Sequence, residues 1–405
     1  MSFGHEPGRL HPDWLRPMVG RDPSETHRAA TPLELFFDLV FVVAVAFAAG
    51  GLHHGIADGH FVDAVVSYLL VFFAIWWAWM NFTWFASAFD TDDVPYRLAV
   101  LVQLAGALVL AGGIPRAFDE RDFGIAVLGY VVMRLALVGQ WLRAAHADRP
   151  HRRTARRFAV GITLCQVGWV LLLLVPSPWF LVGFVLLAAA ELAVPVWAER
   201  ARATTWHAEH IAERYGLFTI IVLGESILSA TVAAQTTIDD VELKGDLTPI
   251  FVGGLLVVFA MWWLYFHRHT GELLTSMRAA FVWGYGHLPI WAATAAVGAG
   301  LAVAVDHATG HAEVGSFGAG AAVAWPVAVF VVGLWVLKAW PQATRRVERW
   351  SHPVAAVALA LAPLTGQAVL AAGMILWALL AATLFAGRSG PRSGALRGEP
   401  DRSPS

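Results

Sequence analysis

The chain has 405 residues, 58% of them hydrophobic and only 14% charged, with a net charge of −2 and a mean hydropathy of +0.59. A water-soluble domain of this length needs more polar surface, and a near-neutral chain without a basic patch offers no footing for nucleic acid. No Gly-x-x-x-x-Gly-Lys-Ser/Thr loop occurs, so direct drive by ATP is not expected.

Apolar runs near twenty residues recur, each long enough to cross about 30 Å of hydrocarbon. They predict an all-α integral membrane protein of about twelve transmembrane helices, over 33–52, 62–89, 96–114, 123–142, 158–175, 179–197, 214–234, 249–266, 281–305, 317–338, 353–367 and 368–387. The eleventh is the shortest and carries Pro363, which also suits a helical hairpin or half-span. Residues 1–32 are polar, hold four Arg and show no apolar run, so they read as a loose cytosolic arm without a cleavable signal. The organisation that follows is a first six-helix half at 33–197, a cytosolic linker at 198–213, a second half at 214–387 and a disordered tail at 388–405.

Charge supports this map. With the N-terminus inside, 24 of the 28 Lys and Arg fall on cytosolic segments, against Arg116, Arg121 and Lys244 outside and Arg134 within a span. That is the positive-inside pattern, with both termini cytosolic. Arg outnumbers Lys 26 to 2, a bias of GC-rich coding that points to a bacterial plasma membrane.

The first span opens on Leu33-Glu34-Leu35-Phe36-Phe37-Asp38. Two carboxylates four residues apart share one helix face, and lipid is a costly neighbour for them, so that face should turn to protein or water. Glu34 follows Thr31-Pro32 and reads as an N-terminal acid favoured by the helix dipole. Asp38 lies near the depth expected for His287 in span nine, and a carboxylate–imidazole pair there would make a proton relay. The second span is crowded with Trp76, Trp77, Trp79 and Trp84. Trp76 and Trp77 fall near mid-depth, where they serve either bundle packing or the aromatic wall of a substrate path. Asp90, Asp92 and Asp93 then form an acidic turn that reads as a cap or a solvated loop rather than a metal site.

Arg134 in span four and Glu191 in span six fall near midplane, and Cys165 stands alone between them. In the linker, His207 and His210 have a spacing that zinc can use, though solvated histidines are the simpler reading, and His267 and His269 are treated alike. No metal or cofactor is expected. Span seven starts at Glu213-Arg214, expected to bridge to Glu34 or Arg97 at the cytosolic mouth. Eleven residues on comes Leu223-Gly224-Glu225-Ser226, which a rise of about 1.5 Å per residue puts near midplane. Glu225 is read two ways, as a proton or cation site or as the partner of Arg134.

Span eight repeats span two. Leu70-Val71-Phe72-Phe73-Ala74-Ile75-Trp76-Trp77 matches Leu256-Val257-Val258-Phe259-Ala260-Met261-Trp262-Trp263 at six of eight positions, offset by 186. Six spans per half is an even number, so the halves would run parallel about an axis along the membrane normal, a plan transporters use. Trp262 and Trp263 join the candidate aromatic path.

Glu34-Leu35-Phe36-Phe37-Asp38-Leu39-Val40-Phe41-Val42, Trp76-Trp77 with Asn81-Phe82, Asp90, His210-Ile211-Ala212-Glu213-Arg214-Tyr215-Gly216-Leu217-Phe218 and Leu223-Gly224-Glu225-Ser226 together resemble the bacterial low-temperature-requirement A family. The resemblance runs over about residues 30–387 and implies a multi-pass membrane protein without naming a reaction. The leading expectation is a secondary transporter or permease, coupled to protons through Asp38 and Glu225, with Ser226 beside them and Arg134 and His287 tuning their charge. A membrane-embedded enzyme acting on lipid and a non-catalytic membrane-stress or sensory protein are the alternatives. The expected partners are the bilayer, an unidentified small molecule or ion, and in one reading a second copy of the chain.

Overall fold

Residues 14–22, 25, 28–239, 247–268, 271–343 and 345–388 are described by the structure, a computed structural model, and every regular element among them is helical. The longer elements are α1 Pro32–Ala57, α2 Phe61–Phe89, α3 Val94–Asp119, α4 Gly124–Ala147, α5 Arg152–Leu172, α6 Ser177–Glu199, α7 Ala208–Asp239, α8 Thr248–Phe266, α9 Met277–Thr309, α10 Ser316–Gln342, α11 Arg346–Leu361 and α12 Ala368–Arg388. Ten of these are long and apolar enough to cross a membrane. The other two are α7 and the 16-residue α11. The tail beyond 388 and His269 lie outside the described residues.

Local chemistry sets the helix ends. Thr31 and Glu34 form a reciprocal capping box at the start of α1, with Pro32 as its first residue. Asp93 caps α3 through the Tyr96 amide at 3.0 Å, so the acidic turn is a cap as expected. α9 begins at a Ser276 cap and stops at Gly310, whose φ of 81° lies in the left-handed region that glycine tolerates. α10 widens into a π turn over Trp335–Ala339.

α9 is the axle of the bundle, buried without a break from Ile290 to Val305. It packs on α1, α7 and α10. Two glycines permit close approach: a Cβ on Gly300 would collide with Ala322 O on α10, and one on Gly298 would sit 2.7 Å from Ser226 Cα on α7. Along the chain, α1 packs on α3, α3 on α4, α4 on α5 and α5 on α6; further on, α7 packs on α9, α9 on α10, α10 on α11 and α11 on α12. α1 and α2 both pack against α7 and α9.

The N-terminal arm is not loose, which corrects the expectation for residues 1–32 over the part described. Arg21 N donates to Ala88 O at 2.9 Å, Arg28 donates to Ala86 O at 2.6 Å and to Ser87 O, and Met18 is fully buried. The last carbonyls of a helix lack partners within it, and the arm supplies donors to the end of α2. Gly20 N adds a bond to Asp148 at 2.7 Å.

Candidate functional site

α1 and α7 are joined by a buried ionic latch. Arg214 donates to both oxygens of Asp38, at 2.5 and 3.2 Å, and its guanidinium lies 2.9 Å from Glu34. His210 Nε2 lies 3.2 Å from Glu34 Oε1, and Trp79 donates to Asp38 at 2.7 Å. All four ionisable side chains are 0–1% exposed. The acids occupy one face of α1 four residues apart, and the bases occupy one face of α7 at the same spacing. The Glu34–His210 and Asp38–Arg214 contacts share one sequence separation, 176. A constant difference, rather than a constant sum, means that the two helices run parallel and in register.

That register moves Glu225. It comes level with residue 49 of α1, about 16 Å further along α7 than Arg214 by helical rise. There it lines a cavity of about 1020 Å³ that opens on the face where α1 ends, between the connections α1–α2 and α3–α4. The walls are apolar, with Val43 and Phe47 on α1 and Leu228 on α7, and the rim carries Asp58, Asp119 and Glu120. Glu225 is 7% exposed. Among the described residues its hydrogen-bond partner is Ser229, which donates to Oε1 at 2.7 Å.

Arg134 does not pair with Glu225. It donates to Glu191 at 2.7 Å, and both are buried. Glu191 also accepts from Trp77, Gln166, Tyr130 and Trp169, at 2.8, 3.0, 3.1 and 3.2 Å. Five donors make it a fully enclosed hub linking α2, α4, α5 and α6. Depth alone does not fix azimuth, and Arg134 turns toward α6 rather than α7.

The Asp38–His287 relay is likewise not formed. His287 lies 3.0 Å from the Tyr265 hydroxyl and 2.7 Å from Trp283 O, while Asp38 is occupied by Arg214 and Trp79. Arg214 does reach Glu34, as expected; Glu213 instead accepts from Ala30 N at 3.2 Å, and Arg97 pairs with Asp92 at 2.7 Å on the surface. The Ser226 hydroxyl donates to Thr294 O at 2.8 Å and clamps α7 to α9. Trp76 and Trp77 are buried, whereas Trp262 and Trp263 are 48% and 41% exposed, and none of the four lines the cavity at Glu225. His207 and His210 are buried, not solvated: His207 faces Glu25 O at 2.8 Å and His210 faces Glu34.

Two features escaped the sequence reading. Lys338, counted there among cytosolic charges, turns inward at the π turn of α10, donates to Tyr265 O at 2.7 Å and stands 3.4 Å above the Tyr265 ring. A lysine in an otherwise arginine-rich chain was its one signal. His53 on α1 meets Asp306 on α9 at 2.6 Å, near the face where both helices end. Outside the helices, Asp90 is pushed up to about 6, first by burial and then by the charge of Glu34, with Arg28 and Arg21 holding it back. Asp93 goes the other way: burial acts to raise it, and the bonds from Arg143 and backbone amides hold it below the usual range.

The family model for the bacterial low temperature requirement A protein matches residues 29–386. An uncharacterized protein of Rhizobium meliloti (strain 1021) is 29% identical over 303 residues, covering 69% of each chain. No solved structure matches.

Proposed function

The chain belongs to the bacterial low temperature requirement A family, and from the cavity that ends on Glu225 we propose that it is a proton-coupled secondary transporter of twelve spans. Parallel six-helix halves are supported by the like order of neighbours in each and by the parallel register of α1 with α7. The surplus of Lys and Arg on alternate connections supports cytosolic termini and a bacterial plasma membrane as the site. In that orientation the cavity faces outward and the latch of Glu34, Asp38, His210 and Arg214 lies on the cytosolic side.

One observation carries the reading. Three buried carboxylates, Glu34, Asp38 and Glu191, each lie against an arginine, while Glu225 faces the cavity with a hydroxyl as its partner. A carboxylate without a fixed counter-charge, reachable from one side, is able to bind and release a proton or a cation. Asp38 belongs to the inner gate here, not to the ion site. Release inward requires α1 and α7 to part, which means breaking the latch. Proton uptake by proteoliposomes that is lost in Glu225→Gln tests the reading.

The lipid-enzyme alternative draws on the meeting of His210 with Glu34, four residues before Asp38. It is disfavoured because Arg214 fills the space between those carboxylates and the whole group is sealed.

A further inference from the structure

The cavity at Glu225 also indicates what kind of molecule it takes, an inference that rests on reading the cavity as the transport site. Five carboxylates, one guanidinium and the imidazoles of His54 and His60 line it, and that guanidinium, Arg121, is held by Asp63 at 2.7 Å, so acids outnumber the basic groups. Arg116, behind the rim, offsets part of Glu120 at 3.3 Å and leaves the balance negative. A low-dielectric cleft lined by one sign of charge concentrates ions of the other. Below the rim, polar groups give way to Val42, Val43, Ala46 and Phe47, with Phe118 seated against Gly51. At the floor one carboxylate, Glu225, is more than nine-tenths buried and aimed into the space, with no hydrogen-bond donor at its second oxygen among the described residues.

A hard metal cation does not suit this floor. Calcium takes six to eight oxygen ligands and magnesium six; Glu225 and Ser229 offer few, and no group of three or more His, Cys, Asp or Glu able to hold a metal occurs among the described residues. An anion meets the acidic rim. A neutral apolar solute leaves the carboxylate without a counter-charge. The remaining match is a molecule with one positive centre for Glu225 and an apolar body for the walls, to which Phe47 and Phe118 add aromatic surface. We propose that the cavity is a binding site for hydrophobic organic monocations.

Gly50 provides a way to test this without touching the charge. It lines the cavity, and a Cβ built on it meets nothing within 4 Å, so Gly50→Phe starts into open space and narrows the cavity while leaving the Glu225 side chain unchanged. The experiment is equilibrium binding of tetraphenylphosphonium to the full-length protein in nanodiscs, with tetraphenylborate as an anion of the same shape. Wild type is expected to bind the phosphonium saturably and the borate not at all. Glu225→Gln and Gly50→Phe, each checked as monodisperse, are expected to weaken phosphonium binding by about tenfold or more. Borate binding as tight as the phosphonium overturns the proposal, as does phosphonium binding that survives either variant. Cation binding that follows these expectations without any proton flux removes the transport reading and leaves the site. Flux without saturable phosphonium binding does the reverse.

Discussion

Arg214 on α7 grips both oxygens of Asp38 on α1, while four residues earlier on each helix His210 meets Glu34. The two contacts tie the start of α1 to the start of α7. Removing one partner of a buried pair strands the other charge, at a cost of about 3–5 kcal/mol. Arg214→Leu or Asp38→Leu alone should therefore lower the melting temperature sharply in detergent. The double variant should recover part of the loss, because Leu meets Leu where the pair stood while Glu34 loses Arg214 and keeps only His210. A double variant no better than the worse single one would contradict the latch.

Glu191 should be the least replaceable acid in the chain. Glu191→Gln leaves Arg134 fully buried without a counter-charge and returns only part of the donor set. We expect a loss of several kcal/mol, about 3–5 by the same argument, read as collapse of monodisperse yield on size exclusion. Glu225→Gln added to Arg134→Ala should give no rescue, since those residues do not touch. Rescue would restore the pairing expected from depth alone.

Two glycines should behave oppositely. Gly298→Val forces α9 away from Ser226, where a Cβ already sits 2.7 Å from backbone, and should cost about 1–3 kcal/mol of stability. Gly50→Ala meets open space and should be neutral or slightly stabilising. Thermal unfolding of the two variants side by side checks the packing of α9.

Asp90 makes stability depend on pH. Its folded value near 6 lies above its ordinary 3.8, so the folded protein holds that proton more tightly than the unfolded chain. The contribution is fully present below about pH 4 and is lost as pH rises through about 6, on the order of 3 kcal/mol in all. Asp90→Asn should remove this component, so that wild type loses stability relative to the variant between those values. Parallel melting curves across the interval would contradict the assignment.

Much of this was legible from residues alone, for a physical reason. Span positions follow from hydropathy, and the α3 cap and the α1 capping box follow from short-range signals at Asp93, Thr31 and Glu34. Pairing of distant charges does not. A pair between Arg134 and Glu225 is one of two readings that depth in the bilayer allows, but a helix presents its side chains around a full turn, and only packing decides which face meets which. The docking of the N-terminal arm was hidden because its donors are mostly backbone amides, which carry no residue signature. The cavity was hidden for a related reason: it is bounded by residues from α1, α2, α3 and α7, and apart from Glu225 none of them is unusual where it stands.

The central claim is that Glu225 carries a proton coupled to a solute. The most direct measurement is pH change inside proteoliposomes loaded with a metabolite extract, under both signs of pH gradient, for wild type and Glu225→Gln. The account predicts flux that requires the extract and disappears in the variant while the protein remains folded. Flux of normal size and pH dependence in Glu225→Gln, or no flux from wild type in either direction, would contradict it.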